Sequence, residues 1–214
     1  MAASEPRPRQ RNAEATRQRL LDAAQNEFAA HGYQGARLRN IANEAGVQPA
    51  LIHHYFADKH GLYRTMLDAT LSESSTASWQ ILERESELAT VVESFVDLLL
   101  RFNLQHRNLM SILRREANAG SPVTAVTEEV IRKRIVPILE AVRLFFERRQ
   151  RLGEVREGLE AREIIITTLS LCAYPYAEQG FLEICLPDAV IEDEASLLRR
   201  KRSVIGVVMG HIVA

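Results

Sequence analysis

At 214 residues, with 46% hydrophobic and 26% charged side chains, the chain has the make-up of a globular protein able to bury its own core. A net charge of −1 excludes a uniformly basic nucleic-acid binder, but the charge is unevenly spread: residues 1–67 hold nine Lys/Arg against six Asp/Glu, and the remainder holds eighteen against twenty-two. A basic first third on an acidic body fits a head that faces DNA. Cys172 and Cys185 sit in apolar stretches without metal-ligand spacing, so buried thiols in a reducing compartment are expected, not a disulfide framework. The opening MAASEPRPRQR lacks the apolar core of a signal peptide. The longest uncharged apolar run, residues 164–177, is 14 long, short of the roughly 20 that span a bilayer. A cytoplasmic protein with no membrane segment is expected.

Residues 1–11 carry two prolines with Arg7, Arg9 and Arg11, and are expected to form a flexible basic arm. Such an arm is either a solubilising tail or a reach along the minor groove. With Asn12 as its cap, a first helix is predicted to run to His31, with Leu20, Leu21, Ala24 and Phe28 on its buried face and Gly32 ending it. Leu38, Ile41, Ala42 and Ala45 fall at i, i+3, i+4 and i+7, one face of a second helix. Gly46 follows where the chain must leave that helix, because glycine takes positive φ without steric cost. Val47 is expected as a buried plug, and Gln48-Pro49 opens a third helix. Asp58 caps a fourth, with Leu62, Tyr63, Met66, Leu67 and Leu71 facing inward. Residues 72–78, SESSTAS, either fray or form an exposed helix joining head to body.

Beyond that point the periodicity is helical throughout, over about 79–86, 88–105, 107–118, 123–151, 160–186 and 192–213. Breaks are expected at 118–122, Gly153 and Pro187, with kinks at Pro137 and Pro175. No strand-like alternation and no fixed-period repeat appears. The predicted class is all-α, with a basic arm (1–11), a three-helix helix-turn-helix head (12–67) and a larger helical domain (68–214). Helix, glycine turn, helix is the arrangement whose second helix enters the DNA major groove.

The array Ala24-x3-Phe28-x3-Gly32-Tyr33, Leu38-Arg39-Asn40-Ile41-Ala42, Ala45-Gly46-Val47 and Ile52-His53-His54-Tyr55-Phe56-x2-Lys59-x2-Leu62 resembles the TetR family of bacterial regulators over residues 12–65. The resemblance implies a homodimer that binds operator DNA through the head and a small effector through the body. It assigns Gln48, Pro49 and Ala50 to the start of the recognition helix, with Leu51 following. Arg39 matches a position that reaches a base, and His53, Tyr55 and Lys59 match backbone contacts. The head departs from the family where Ser or Thr usually caps the second helix: Ala36, Arg37 and Leu38 stand there instead. Arg37 becomes a phosphate-contact candidate, and the cap must come from elsewhere. Because Pro49, Ala50 and Leu51 have no side-chain donors, base readout is expected to rest on Arg39 and Gln48, with apolar contacts limited to thymine methyls.

In the body two stripes of small residues recur at helical spacing: Ser170, Ala173, Ala177 and Gly180, and Gly206, Gly210 and Ala214. They suit close helix packing, either across the dimer bundle that the resemblance implies or within one subunit. By the same resemblance Phe95, Leu99, Phe102, Met110, Leu113, Tyr174 and Tyr176 are candidates to line an effector cavity, although such residues also make plain core. Asn103, Arg114, Glu116, Glu178 and Gln179 are the polar candidates beside them, and Arg114-Arg115-Glu116 equally suits a surface ion pair or a brace between helices. The run Arg199-Arg200-Lys201-Arg202, following Glu192-Asp193-Glu194, reads as a solvated face with local ion pairs. His53 and His54 point apart on a helix, so no metal site is expected. The sequence has no glycine-rich phosphate loop, HExxH or Gly-x-Ser-x-Gly, so neither cofactor nor enzymatic activity is expected. A body that binds a protein partner in place of an effector remains the alternative.

Overall fold

The computed structural model describes residues 8–84, 87–118, 120, 122–186, 191 and 193–213, and every regular element among them is an α-helix. In chain order these are α1 (Pro8–Gly35), α2 (Leu38–Glu44), α3 (Ala50–Phe56), α4 (Lys59–Glu83), α5 (Leu88–Gln105), α6 (Arg107–Asn118), α7 (Thr124–Arg134), α8 (Val136–Arg151), α9 (Ala161–Ala177), α10 (Gln179–Cys185) and α11 (Glu194–Ile212). The all-α expectation holds. None of the described helices is long and apolar enough to cross a membrane.

Three local expectations change. The first helix begins at Pro8, not Asn12: Asn12 lies inside α1, where its carbonyl accepts the Thr16 hydroxyl at 2.8 Å. Proline's fixed φ suits a first helical position, and nothing between it and Asn12 breaks a helix. Arg9 and Arg11 therefore lie on α1, while Arg7 falls outside the described residues. Second, the serine-rich run neither frays nor stands fully exposed. It continues α4, with Ser75 and Ser78 buried one and two turns beyond Leu71 on the same face. Third, Val47 is half-buried, and its N–H closes the turn on the Ala42 carbonyl at 2.9 Å. The prolines act as expected. The 123–151 pattern parts at Ile135 beside Pro137, and the 160–186 pattern parts at Glu178, three residues after Pro175. Pro175 has no N–H for the Leu171 carbonyl one turn back, and Arg200 takes that carbonyl at 2.6 Å.

The chain divides into two compact units, residues up to Thr70 with Ser111–Val130, and Leu71–Met110 with Ile131 onward. The sequence boundary at 67/68 did not anticipate that 111–130 would group with the head. In the first unit Leu20, Phe28, Ile41, Ile52, Leu62, Tyr63 and Leu67 are fully buried. Tyr63 stands edge-on to Phe28 (5.2 Å) and Tyr33 (5.5 Å). Its hydroxyl donates to Thr127 Oγ1 at 3.1 Å, which in turn donates to the Val123 carbonyl. Burial pushes the Tyr63 phenol up to about 12. Glu116 settles the choice left open for its segment: it is a brace, accepting the Tyr33 N–H at 3.0 Å just past the positive-φ Gly32. Arg64 pairs with Glu129 in the same unit.

In the second unit α5, α9 and α11 pack together, and α8 and α10 pack on α9. Val96, Leu100, Cys172, Leu197 and Ile212 lie at its centre. Asp193 and Ser196 form a reciprocal capping box at the start of α11, with Ser196 N donating to Asp193 at 2.7 Å. The basic run on α11 is not a uniformly solvated face. Lys201 pairs with Glu93 and Asp97 of α5, each at 3.1 Å, and Glu194 pairs with Arg101. These ion pairs join helices, where pairs along one helix were expected.

Candidate DNA interface

Two short helices present the site. The α2 apolar face, Ile41, Ala42 and Ala45, is buried and leaves Arg39 exposed on the opposite side. Gly46 makes the turn at φ +67, and the Leu51 and Ile52 amides close onto the Gln48 and Pro49 carbonyls at 3.0 and 3.1 Å to start α3. Gln48, Pro49 and Ala50 are exposed, and Leu51 is half-buried against the fully buried Ile52.

The missing cap on α2 comes from α1. Glu27, 7% exposed, accepts the Arg37 backbone N–H (2.9 Å) and the Asn40 side-chain amide (3.0 Å) through one carboxylate oxygen. His31 Nε2 lies 3.7 Å from the other oxygen. A carboxylate at a helix N-terminus satisfies an orphan amide and complements the helix dipole. Glu27 thus fixes the entry of the helix carrying Arg37 and Arg39. Sequence reasoning missed it because the cap lies ten residues back and is brought there by packing. The signal was an acidic residue inside α1's apolar face, between Ala24 and Phe28.

The α3–α4 connection is tight. Asp58 N–H donates to the Phe56 carbonyl at 2.8 Å across Ala57 at φ 66, ψ −55, a γ-turn. Asp58 then caps α4 as expected, accepting the Gly61 amide at 2.7 Å. His53 Nδ1 donates to the Ala57 carbonyl at 2.9 Å, which directs Nε2 away from the turn. Tyr55 is half-buried beside His54 and Phe56. Lys59 is engaged within the protein itself. Its ammonium donates to the Gln34 (3.2 Å) and Ala36 (2.6 Å) carbonyls and lies 4.9 Å from the Tyr33 ring centre. Burial draws its pKa down. Two of its three protons tie the end of α1, leaving one for a phosphate. Arg37, Arg39 and Gln48 have no side-chain partner among the described residues.

The body candidates scatter. Leu113 belongs to the first unit; Phe95, Leu99, Phe102 and Met110 are half-buried in the second; Tyr174 is 50% exposed and Tyr176 is buried. Phe102 lines a cleft of about 540 Å³ together with Glu73, Arg84, Glu93, Asp97 and Lys201. The cleft mixes these charged side chains with Ala77, Ile81 and Leu98, and Lys201 pairs with two of its carboxylates, Glu93 and Asp97. Ser170 is exposed, Ala173 and Ala177 are half-buried, and a Cβ added at Gly180, Gly206 or Gly210 would meet no described atom within 4 Å. Ala214 falls outside the described residues.

A braced helix-turn-helix with exposed, unpaired cationic and amide side chains defines a DNA-binding head on a helical body. The family description "Bacterial regulatory proteins, tetR family" matches residues 20–66, and "Tetracyclin repressor-like, C-terminal domain" matches residues 89–208. The chain belongs to the TetR family of bacterial transcriptional regulators. It is 24% identical over 165 residues to the HTH-type transcriptional repressor SCO4008 of Streptomyces coelicolor, covering 75% of this chain and 78% of that one. To the HTH-type transcriptional repressor NicS of Pseudomonas putida it is 22% identical over 184 residues, covering 84% and 86%. The solved structure of the fatty acid degradation regulator FadR from Bacillus halodurans shares the fold at TM-score 0.67 and 16% identity, with 97% of each chain covered. The family and these relatives are regulators, not enzymes.

Proposed function

We propose that the chain is a homodimeric repressor whose operator binding is relieved by a small apolar or amphipathic effector in the cytoplasm. Two recognition helices, one per protomer, would enter successive major grooves of a pseudo-palindromic operator about 34–36 Å apart. The observation that carries the reading is the exposure of Arg39 on α2 and of Gln48 just before α3, neither with a side-chain partner among the described residues, in a motif held by the Glu27 cap and the Gly46 turn. Arg39 suits bidentate readout of guanine, while Ala50 and Leu51 offer thymine-methyl contacts. Arg37, His53 Nε2, Tyr55 and the third Lys59 proton suit phosphates. Dimerisation is supported by the open surroundings of Gly180, Gly206 and Gly210 and by the exposure of Ile166, Tyr174 and Val207 on α9 and α11. An effector that prefers dimers with mismatched head spacing would lower operator affinity by its differential binding energy.

The test begins with operator fragments selected from random duplexes by the purified protein. Arg39→Ala should lose about 1–3 kcal/mol of discrimination at one base pair per half-site at fixed salt. Full discrimination in that variant overturns the assignment of Arg39. Binding insensitive to salt overturns the DNA-contact reading as a whole, because neutralised phosphates impose a steep negative slope.

A further inference from the structure

Some arginines of the second unit find a carboxylate and others do not. Arg101, Arg143 and Arg149 each reach a carboxylate, on Asp97 and Glu194, on Glu140 and Glu147, and on Glu154. Arg107 and Arg200 reach none among the described residues. Arg107 donates to Gln179 Oε1 at 3.2 Å and to the Ile191 carbonyl at 2.9 Å. Arg200 donates through one terminal nitrogen to the Leu171 carbonyl released by Pro175, and neither its buried Nε nor the buried Tyr176 hydroxyl has a partner among the described residues. Tyr176 is 8% exposed, and Cys172, one turn earlier on α9, is fully buried. Both arginines reach residues that flank Tyr176 in the chain, Gln179 three residues after it and the Leu171 carbonyl five residues before it; burial pushes the Tyr176 phenol up to about 12, and the two positive charges oppose that rise.

What these groups lack among the described residues has one chemical sense. Guanidinium nitrogens only donate, and a phenol that keeps its proton also donates. Both charges are positive. Buried donors without acceptors, and part-buried cations without a counter-charge, are unfavourable unless something satisfies them. A water oxygen would supply an acceptor but no charge, whereas a carboxylate supplies both. The surroundings are apolar: Leu100, Cys172, Ile191 and Leu197 belong to the same buried cluster as Tyr176. We propose that Arg107, Arg200 and Tyr176 form an anchor for the carboxylate of a monocarboxylic acid whose hydrocarbon part lies among the apolar residues of α5, α9 and α11. This rests on the reading of the body as the effector domain, and supplies the effector's chemical class.

The test is titration calorimetry of the full-length protein with butanoate, octanoate, dodecanoate and benzoate, each against its neutral primary amide. At least one acid should bind about tenfold or more tighter than its amide. Arg107→Gln and Arg200→Gln should each abolish that preference. Tyr176→Phe, which removes a single oxygen, should weaken the acid about three- to tenfold and leave the amide unchanged. Circular dichroism checks that each variant is folded, and Tyr176→Phe decides the matter if an arginine variant is not. Equal binding of acid and amide, no binding by any acid, or a preference that survives all three substitutions overturns the anchor. An acid that binds through the anchor without releasing operator supports the anchor and overturns effector control. Release of operator by an acid that is indifferent to all three substitutions does the reverse.

Discussion

Replacing Glu27 by alanine tests whether a residue of α1 governs the DNA-reading helix α2. The substitution removes an acceptor shared by the Arg37 amide and the Asn40 side chain. Loss of an N-cap costs about 0.5–2 kcal/mol, and a hydrogen bond to a charged acceptor contributes about 1.5–3 kcal/mol net. These do not add, because Arg37 and Asn40 are exposed and water can replace part of what is lost. Removing the charge also relieves the desolvation of a carboxylate only 7% exposed. A net loss of about 2 kcal/mol follows, equivalent to about 4–8 °C in melting temperature for a chain of this size. Glu27→Gln keeps one acceptor oxygen and should lose about half as much. The assay is urea unfolding followed by circular dichroism, with operator affinity measured under native conditions. Because the start of α2 loosens with Arg39 in its first turn, operator affinity should fall about tenfold even where the protein remains folded. Wild-type stability in Glu27→Ala, within about 0.5 kcal/mol, would refute the cap assignment. Equal losses in the alanine and glutamine variants would show that charge, not acceptor geometry, was responsible.

Three further outcomes are expected. A Cβ at Gly61 would sit 2.1 Å from the Phe56 carbonyl oxygen, so Gly61→Ala should destabilise by about 1–3 kcal/mol, while Ala57→Gly should stabilise by about 1 kcal/mol by relieving its positive φ. Melting curves that do not move in opposite directions contradict the γ-turn account. Gly206→Leu should weaken self-association without lowering helicity, and an unchanged sedimentation profile at low concentration argues against the α11 face as the dimer surface. Tyr63 and Tyr176 keep their protons to about 12 against an ordinary 10.0, and Cys172 to about 12 against 9.0. Across that window the folded state binds more protons than the unfolded one. Stability is therefore full below pH 9 and falls toward pH 12, by up to about 1.4 kcal/mol per group per pH unit. Tyr63→Phe should flatten the fall in urea midpoint between pH 10 and 12, and an unaltered slope would contradict this.

The readings that held in the sequence are those decided within a turn or two of chain. The Ile41–Ala42–Ala45 face, the Gly46 turn, the Asp58 cap and the breaks beside Pro137 and Pro175 depend on backbone sterics and on neighbours within four residues, and those are written in the order of residues. The family array adds the register of the head, because it fixes residue types at set spacings. Tertiary structure decided what depends on a partner far along the chain. Glu27 found the amide of Arg37, and Lys59 turned to the carbonyls of Gln34 and Ala36. Residues 111–130 joined the first unit, where Glu116 meets Tyr33 and Thr127 meets Tyr63. Arg200 was read as part of a solvated basic run and instead turned to the Leu171 carbonyl that Pro175 releases. A charged side chain goes where packing leaves a buried partner for it, because an unpaired polar group in the interior is expensive. Periodicity records which face of a helix is apolar, but not which distant donor or acceptor that face will meet.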